Sequence, residues 1–207
     1  MKLLYFDLRG RAEMIRLALH AGGVEFEDAR FARGEWPEIK PTTPRGSAPV
    51  LTLDDGTTVT ESVAILRYAG KLGTPRLYPE DPVAALRVDE MVDIIGSTTA
   101  ILSKTFGLPS EEQLAMRTKI MSEDGELTKV LKFVDEAAKA NGSGFLVGSE
   151  LTIADCALRP AVYWLTAGIL DGIPKDCLDQ YKGLAKVMQT MSEIPAIKRY
   201  ESEQYSA

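Results

Sequence analysis

The chain has 207 residues, 45% of them apolar and 26% charged, and a formal net charge of -6. This is ordinary globular composition, enough for one large domain or two modest ones, and an acidic chain without a Lys/Arg cluster is a poor match for a nucleic-acid partner. No apolar run is long enough to cross a membrane. Met1 leads directly into a strand with neither a signal peptide nor a basic, serine-rich transit segment, so the expected location is cytoplasmic.

The first 75 residues alternate strand and helix. Lys2–Phe6 is a short apolar strand, and residues 10–21 follow a helical period (Ala12, Ile15, Leu17, Ala18, Leu19) that stops at Gly22-Gly23. Val24–Arg30 alternates as an edge strand, Trp36–Lys40 is a short helix, and Pro49–Leu53 and Thr57–Thr60 flank Asp54-Asp55-Gly56 as a hairpin. Ser62–Lys71 returns to helical spacing through Val63, Ile65, Leu66 and Ala69. The order is βαβ, a short helix, then ββα.

A proline-rich stretch at 75–82 reads as a linker between a first domain at 1–74 and a second at 83–207. The second domain is predicted all helical. Residues 83–106 and 110–139 are long amphipathic stretches separated by Gly107-Leu108-Pro109, and Asn141–Gly144 is a loop. Thr152-Ile153-Ala154-Asp155 is a capping box that opens the next helix, and two shorter helices finish the chain, the last starting at Pro195. Cys156 and Cys177 show no CxxC or metal-ligand spacing and read as buried or half-buried thiols of a reducing compartment.

Three places in the first domain offer chemistry. Strand 2–6 delivers the Tyr5 hydroxyl to a tight Arg9-Gly10 turn that runs into a helix N-terminus; a phenol, the Arg11 guanidinium and a helix end all favour an anion. Tyrosine is a donor at neutral pH, so beside a thiol it stabilises the thiolate. Lowering a thiol pKa by ~2 units takes roughly 2.7 kcal/mol of preferential interaction with the anion, which these groups can supply. The plainer alternative is a packed strand tyrosine and a surface arginine. Ala48-Pro49 precedes a strand, where a cis bond would turn the Ala48 backbone outward to a peptide-like ligand. Glu61-Ser62 opens a helix with Ser62 as a favoured N-cap, and a helix start beside a carboxylate suits an α-amino-acid head group; a plain capped helix is the alternative. Trp36 and Lys40 stand where a second carboxylate could be held. Asp89 and Asp93 read as a solvated helix face, no metal site is expected, and His20 reads as structural.

Taken together, Y-F-x-x-R-G-R-A-E at 5–13, W-P-E-I-K at 36–40, A-P-V-L at 48–51, E-S-V-A-I-L-R-Y at 61–68 and L-T-I-A-D at 151–155 resemble a cytosolic glutathione S-transferase, most similar to the sigma class. The resemblance covers essentially the whole chain. It implies a thioredoxin-like α/β N-terminal domain and an all-α C-terminal domain, with glutathione as co-substrate and a homodimer. Tyr5 and Arg11 would be catalytic, donating to the glutathione sulfur and lowering its pKa. Trp36 and Lys40 would hold the glycyl carboxylate, Ala48 before Pro49 the cysteinyl backbone, and Glu61 and Ser62 the γ-glutamyl end. Thr152 and Asp155 match the family's helix-capping box, a folding role.

The implied reaction is conjugation of the glutathione thiolate to small hydrophobic electrophiles, a detoxifying activity. The electrophile pocket would draw on Leu8, Gly10, Ile94, Ser97, Ile101, Thr105, Ala157 and Ala161, and the dimer interface on the 62–71 helix and the first half of 83–106, with Arg67 and Tyr68 contributing. Alternatives on the same scaffold are a glutathione-dependent isomerase or peroxidase, or a non-catalytic ligand-binding or structural protein. The sigma pattern carries acidic residues where Gly96 and Ser97 stand here, and small residues (Ala157, Ala161) replace aromatic ones of its prostaglandin-isomerising members. Prostaglandin isomerase activity is therefore not part of the expectation.

Overall fold

The computed structural model describes residues 1–205. Two compact units emerge: Met1–Pro79 together with the C-terminal segment beginning at Ile194, and Glu80–Glu193.

The first unit is built on a four-stranded sheet in the order β2-β1-β3-β4, with β1 at Lys2–Phe6, β2 at Glu27–Phe31, β3 at Val50–Thr52 and β4 at Thr58–Val59. β1 pairs parallel with β2 across the helix α1 (Glu13–Ala21), from Lys2 opposite Glu27 to Phe6 opposite Phe31. β3 runs antiparallel to β1, with Leu3 opposite Leu51, and β4 antiparallel to β3. This is the expected thioredoxin-like arrangement. Leu3 and Tyr5 are buried in alternation along β1, as a period of two requires. A short α2 (Trp36–Ile39) lies between 3-10 turns, and α3 (Ser62–Ala69) closes the unit.

Helix α1 starts three residues later than its apolar period suggests. Residues 7–12 form tight turns instead, in which the Leu8, Gly10 and Glu13 amides donate to the carbonyls of Phe6, Leu8 and Gly10. β2 also starts later, at Glu27, because the Val24 amide is still closing the end of α1 on the Leu19 carbonyl. The stretch read as a linker is tied down at its start: the Thr74 amide donates to Gly22 and the Leu77 amide to Gly70, with Leu77 buried.

The second unit is helical: α4 (Pro82–Ser103), α5 (Ser110–Ile120), α6 (Glu126–Asn141), α7 (Ile153–Thr166) and α8 (Lys182–Glu193). α4 packs on α6 and α7, and α6 on α8. The expected single stretch at 110–139 is two helices. The Gly125 amide turns back to the Ser122 carbonyl, and a side chain at Gly125 would run into the carbonyl of Ile120, so the chain reverses there on a residue with no Cβ. The last helix, α9 (Pro195–Tyr205), adjoins the helical segment in sequence but packs on α1 of the first unit. No described helix is long and apolar enough to cross a membrane.

The capping box forms as expected. The Thr152 hydroxyl oxygen accepts the Ala154 amide at 3.3 Å, and the buried Asp155 carboxylate accepts the Thr152 and Leu146 amides at 2.9 and 2.8 Å. Burial pushes the Asp155 carboxyl up to about 6 against those donors. The thiols of Cys156 and Cys177 are both unpaired, and burial raises both, Cys177 to about 11, which keeps them protonated at neutral pH. Replacing Asp155 by Ala strands two buried amides, so urea denaturation should show a loss of about 2–4 kcal/mol; a loss below about 0.5 kcal/mol would contradict this role.

Candidate active site

The parallel β1-α1-β2 crossover brings the end of β1 to the start of α1, and Tyr5 sits there, 7% exposed. Its hydroxyl oxygen accepts the Arg11 backbone amide at 3.1 Å. Accepting that amide leaves the phenolic proton to be given to a ligand. Burial raises the Tyr5 pKa, opposed by the Arg11 amide and by the charges of Arg11 and Arg16. Tyr5 is therefore a protonated donor in a positive field at neutral pH, the state that stabilises a nearby anion and not one that removes a proton. The Arg11 side chain is exposed.

The turn around Tyr5 is held from behind by Arg16, which is fully buried. Its guanidinium donates to the carbonyls of Leu8 at 3.0 Å and Phe6 at 3.3 Å, and it pairs with Asp28 at 3.0 Å and Glu13 at 3.4 Å. Sequence reasoning missed this pair. The helical period could not show it: Glu13, Arg16 and His20 share one stripe of α1 that reads as a solvated face, yet Glu13 and Arg16 are buried.

The other expected site residues belong to the same unit. Trp36 stacks on Phe31 (ring centroids 5.6 Å, planes 9° apart) and leans on Phe6 at 5.2 Å, an aromatic cluster at the ends of β1 and β2. Lys40 is exposed, its aliphatic chain against Gly46. Ala48-Pro49 is cis, half-buried at Ala48, and leads into β3. Glu61 is exposed and paired with Arg45, a partner with no marked sequence signal. Ser62 is not the N-cap: Glu61, with extended backbone, holds that position, Ser62 is the first helical residue, and no side chain caps α3.

Of the expected electrophile-pocket residues, Leu8 and Gly10 are half-buried in the turn beside Tyr5. In the helical unit Ile94, Ser97 and Ile101 follow one another at helical spacing on α4, and Ala157 and Ala161 on α7, which packs against it. Ile94, Ser97 and Ala161 are half-buried, whereas Ile101 and Ala157 are buried. Thr105 is fully buried, its hydroxyl donating to the Leu102 carbonyl and accepting from Arg117, which leaves it no surface for a ligand.

Comparison with known proteins agrees with this architecture. Residues 1–71 match the glutathione S-transferase N-terminal domain and residues 99–204 the glutathione S-transferase C-terminal domain. Glutathione S-transferase 1 of Ascaris suum is 31% identical over 98% of this chain and 95% of its own length. A prostaglandin synthase D of Nilaparvata lugens superposes with a TM-score of 0.86 at 30% identity, covering 98% of this chain and 96% of that one. A sigma class transferase of Fasciola hepatica gives 0.83 at 25% identity over 100% and 97%. The chain belongs to the glutathione S-transferase family.

Gly10 gives this geometry a sharp test. A Cβ there would lie 2.6 Å from the Tyr5 hydroxyl oxygen and 2.7 Å from Leu8 Cδ1. Gly10→Ala should displace the hydroxyl and, if Tyr5 takes part in the chemistry, lower catalytic efficiency by up to about 100-fold, the cost of a misplacement of about 1 Å. The check is steady-state kinetics beside a thermal melt; full activity in a folded variant would show that the hydroxyl need not stay where it is.

Proposed function

We propose that this protein conjugates glutathione to small hydrophobic electrophiles, with Tyr5 as the donor that stabilises the glutathione thiolate. The observation that carries the reading is the buried Tyr5 hydroxyl, held by the Arg11 amide with its own proton to give, in a chain that matches both transferase domains. Arg11 adds positive charge beside it. Once formed, the thiolate attacks the electrophilic carbon: the S–C bond forms as the leaving group departs, or as an enone takes up the charge and then a proton. The protein supplies thiolate stabilisation and proximity.

Trp36 and Lys40 are assigned to the glycyl carboxylate, Ala48 before Pro49 to the cysteinyl backbone, and Glu61 with Ser62 to the γ-glutamyl end. Arg45 already neutralises Glu61, so an incoming ammonium competes with it. Leu8, Gly10, Ile94, Ser97, Ile101, Ala157 and Ala161 are assigned to the electrophile. We assign the chain to the sigma class and to cytoplasmic detoxification; the unpaired Cys156 and Cys177 suit a reducing compartment. A glutathione-dependent isomerase is the second reading, favoured by the name of the Nilaparvata lugens structure.

Tyr5→Phe tests the assignment. A hydrogen bond to a charged group contributes about 1.5–3 kcal/mol, or roughly one to two pKa units. The variant should therefore raise the apparent thiol pKa of bound glutathione by about that much. Fewer thiolates exist at a given pH when the pKa is higher, so activity should fall about 10- to 100-fold at pH 6.5 and converge on wild type above the new pKa. A pH profile superimposable on that of wild type would remove Tyr5 from the mechanism.

A homodimer is part of the proposal. Tyr68 on α3 and Val83 and Leu86 on α4 are large apolar side chains left exposed, at 39%, 64% and 66%. Sedimentation velocity should find a dimer that Leu86→Glu shifts toward monomer; a wild type that sediments as a monomer at micromolar concentration would refute it.

A further inference from the structure

The C-terminal helix is joined to the Tyr5 turn by a continuous set of polar contacts. The Tyr205 hydroxyl donates to the Glu13 carboxylate at 2.8 Å and the Tyr200 hydroxyl at 3.1 Å, with the two phenol oxygens 3.2 Å apart. Glu13 and Tyr200 are each 2% exposed. The guanidinium of Arg9, a turn residue that sequence reasoning leaves without a role, lies 3.7 Å from the centroid of the Tyr205 ring. Arg30 donates to the Tyr200 oxygen at 3.4 Å and pairs with Asp7 and Asp28. On the far side of Glu13 stands Arg16, whose other donors grip the Phe6 and Leu8 carbonyls. The Glu13 amide itself bonds to the Gly10 carbonyl, so side chain and backbone of one residue both act on the turn that presents the Arg11 amide to Tyr5.

We infer that Tyr200 and Tyr205 are positioning residues for catalysis: by completing the hydrogen bonds of Glu13 they fix the Glu13–Arg16 pair, and with it the turn that holds the Tyr5 hydroxyl. A bond from this helix is more than a fastening for the C-terminus. Without the phenols, the buried Glu13 carboxylate keeps, among the described residues, Arg16 alone, at 3.4 Å. Burial already raises the Glu13 pKa, opposed by Tyr205, Arg16 and Tyr200, so losing the phenols pushes it further toward the neutral acid. A neutral Glu13 releases part of its hold on Arg16, and Arg16 then re-pairs at the expense of the Leu8 and Phe6 carbonyls. The inference rests on the proposed role of Tyr5.

The experiment is the pH dependence of glutathione thiolate formation on the full chain, read by ultraviolet thiolate absorbance and by catalytic efficiency, beside thermal melts. Tyr205→Phe and, as an independent second variant, Tyr200→Phe should each raise the apparent thiol pKa, lowering the thiolate fraction at pH 6.5 by about three- to tenfold. The KM for glutathione should stay within about twofold, since neither phenol is assigned to the tripeptide. The shift should vanish in a Tyr5→Phe background, because the phenols act through Tyr5. Melting points that fall while the thiol pKa of both single variants stays at the wild-type value would make α9 merely structural and overturn the inference alone. An equal shift in the Tyr5→Phe background would also overturn it. A wild type that leaves the glutathione thiol at its solution pKa would refute the transferase reading, and this inference with it.

Discussion

A fully buried guanidinium organises the first unit. Arg16 has no contact with solvent, and its donors are met by the Leu8 and Phe6 carbonyls and by the Glu13 and Asp28 carboxylates. Taking a cation out of water costs several kcal/mol unless it is paired and hydrogen bonded, and removing one partner of such a pair typically costs about 3–5 kcal/mol. The turn after β1 is therefore not free to relax: its carbonyls are obliged to point at Arg16. The rest of the site follows from that orientation. With the Phe6 and Leu8 carbonyls turned inward, successive short turns carry the chain to Arg11, whose amide reaches back to the Tyr5 hydroxyl.

Electrostatics then decides what Tyr5 can do. Burial favours the neutral phenol, while Arg11 and Arg16 favour the phenolate, and burial wins. A buried acid kept protonated by desolvation, in a field that is positive, donates its hydrogen bond to whatever anion arrives. The two effects conflict for the tyrosine but cooperate for an anion beside it: the same guanidinium charge that fails to ionise Tyr5 still attracts a negative group. The two cysteines of the chain have the opposite surroundings. Burial and neighbouring acidic residues (Asp155 beside Cys156, Asp176 and Asp179 near Cys177) keep both protonated, so neither is a competing nucleophile.

How much of this could be read in advance depended on sequence separation. Most of the β1-turn-α1 unit was legible because its signals are local, an apolar strand, an Arg-Gly turn and a helical period, although the helix begins at Glu13 and not at residue 10. The capping box at Thr152 and Asp155 was legible for the same reason, a fixed spacing of three. Local reading failed where two local rules competed. Ser62 is a better N-cap than Glu61 by side-chain preference, but Glu61 has the extended backbone and Ser62 does not, so the backbone decided. Residues 110–139 read as one amphipathic stretch, yet the chain reverses at Gly125, where a Cβ would run into the Ile120 carbonyl. The contact of Tyr200 with Glu13, 187 residues apart, was illegible in principle, because nothing in a helical period says which distant surface it covers.

The choice of phenols at that distant contact follows from the charge around Glu13. Arg9, Arg16 and Arg30 already surround the cluster, and Arg11 lies at the same turn. A lysine or arginine from α9 could also satisfy the carboxylate, but it would bring another buried cation needing its own partner, at the desolvation cost that Arg16 meets only with two carboxylates and two carbonyls. A phenol donates one hydrogen bond, adds no charge, and fills space with a ring on which other groups stack: His20 lies on Tyr200 at 4.3 Å and the Arg9 guanidinium on Tyr205 at 3.7 Å. Two such donors satisfy Glu13 while leaving its negative charge to balance Arg16. The positive field that reaches Tyr5 is then set by residues of the turn and of α1, while the two phenols of α9 hold those residues in place, favour the ionised Glu13 and add no charge of their own.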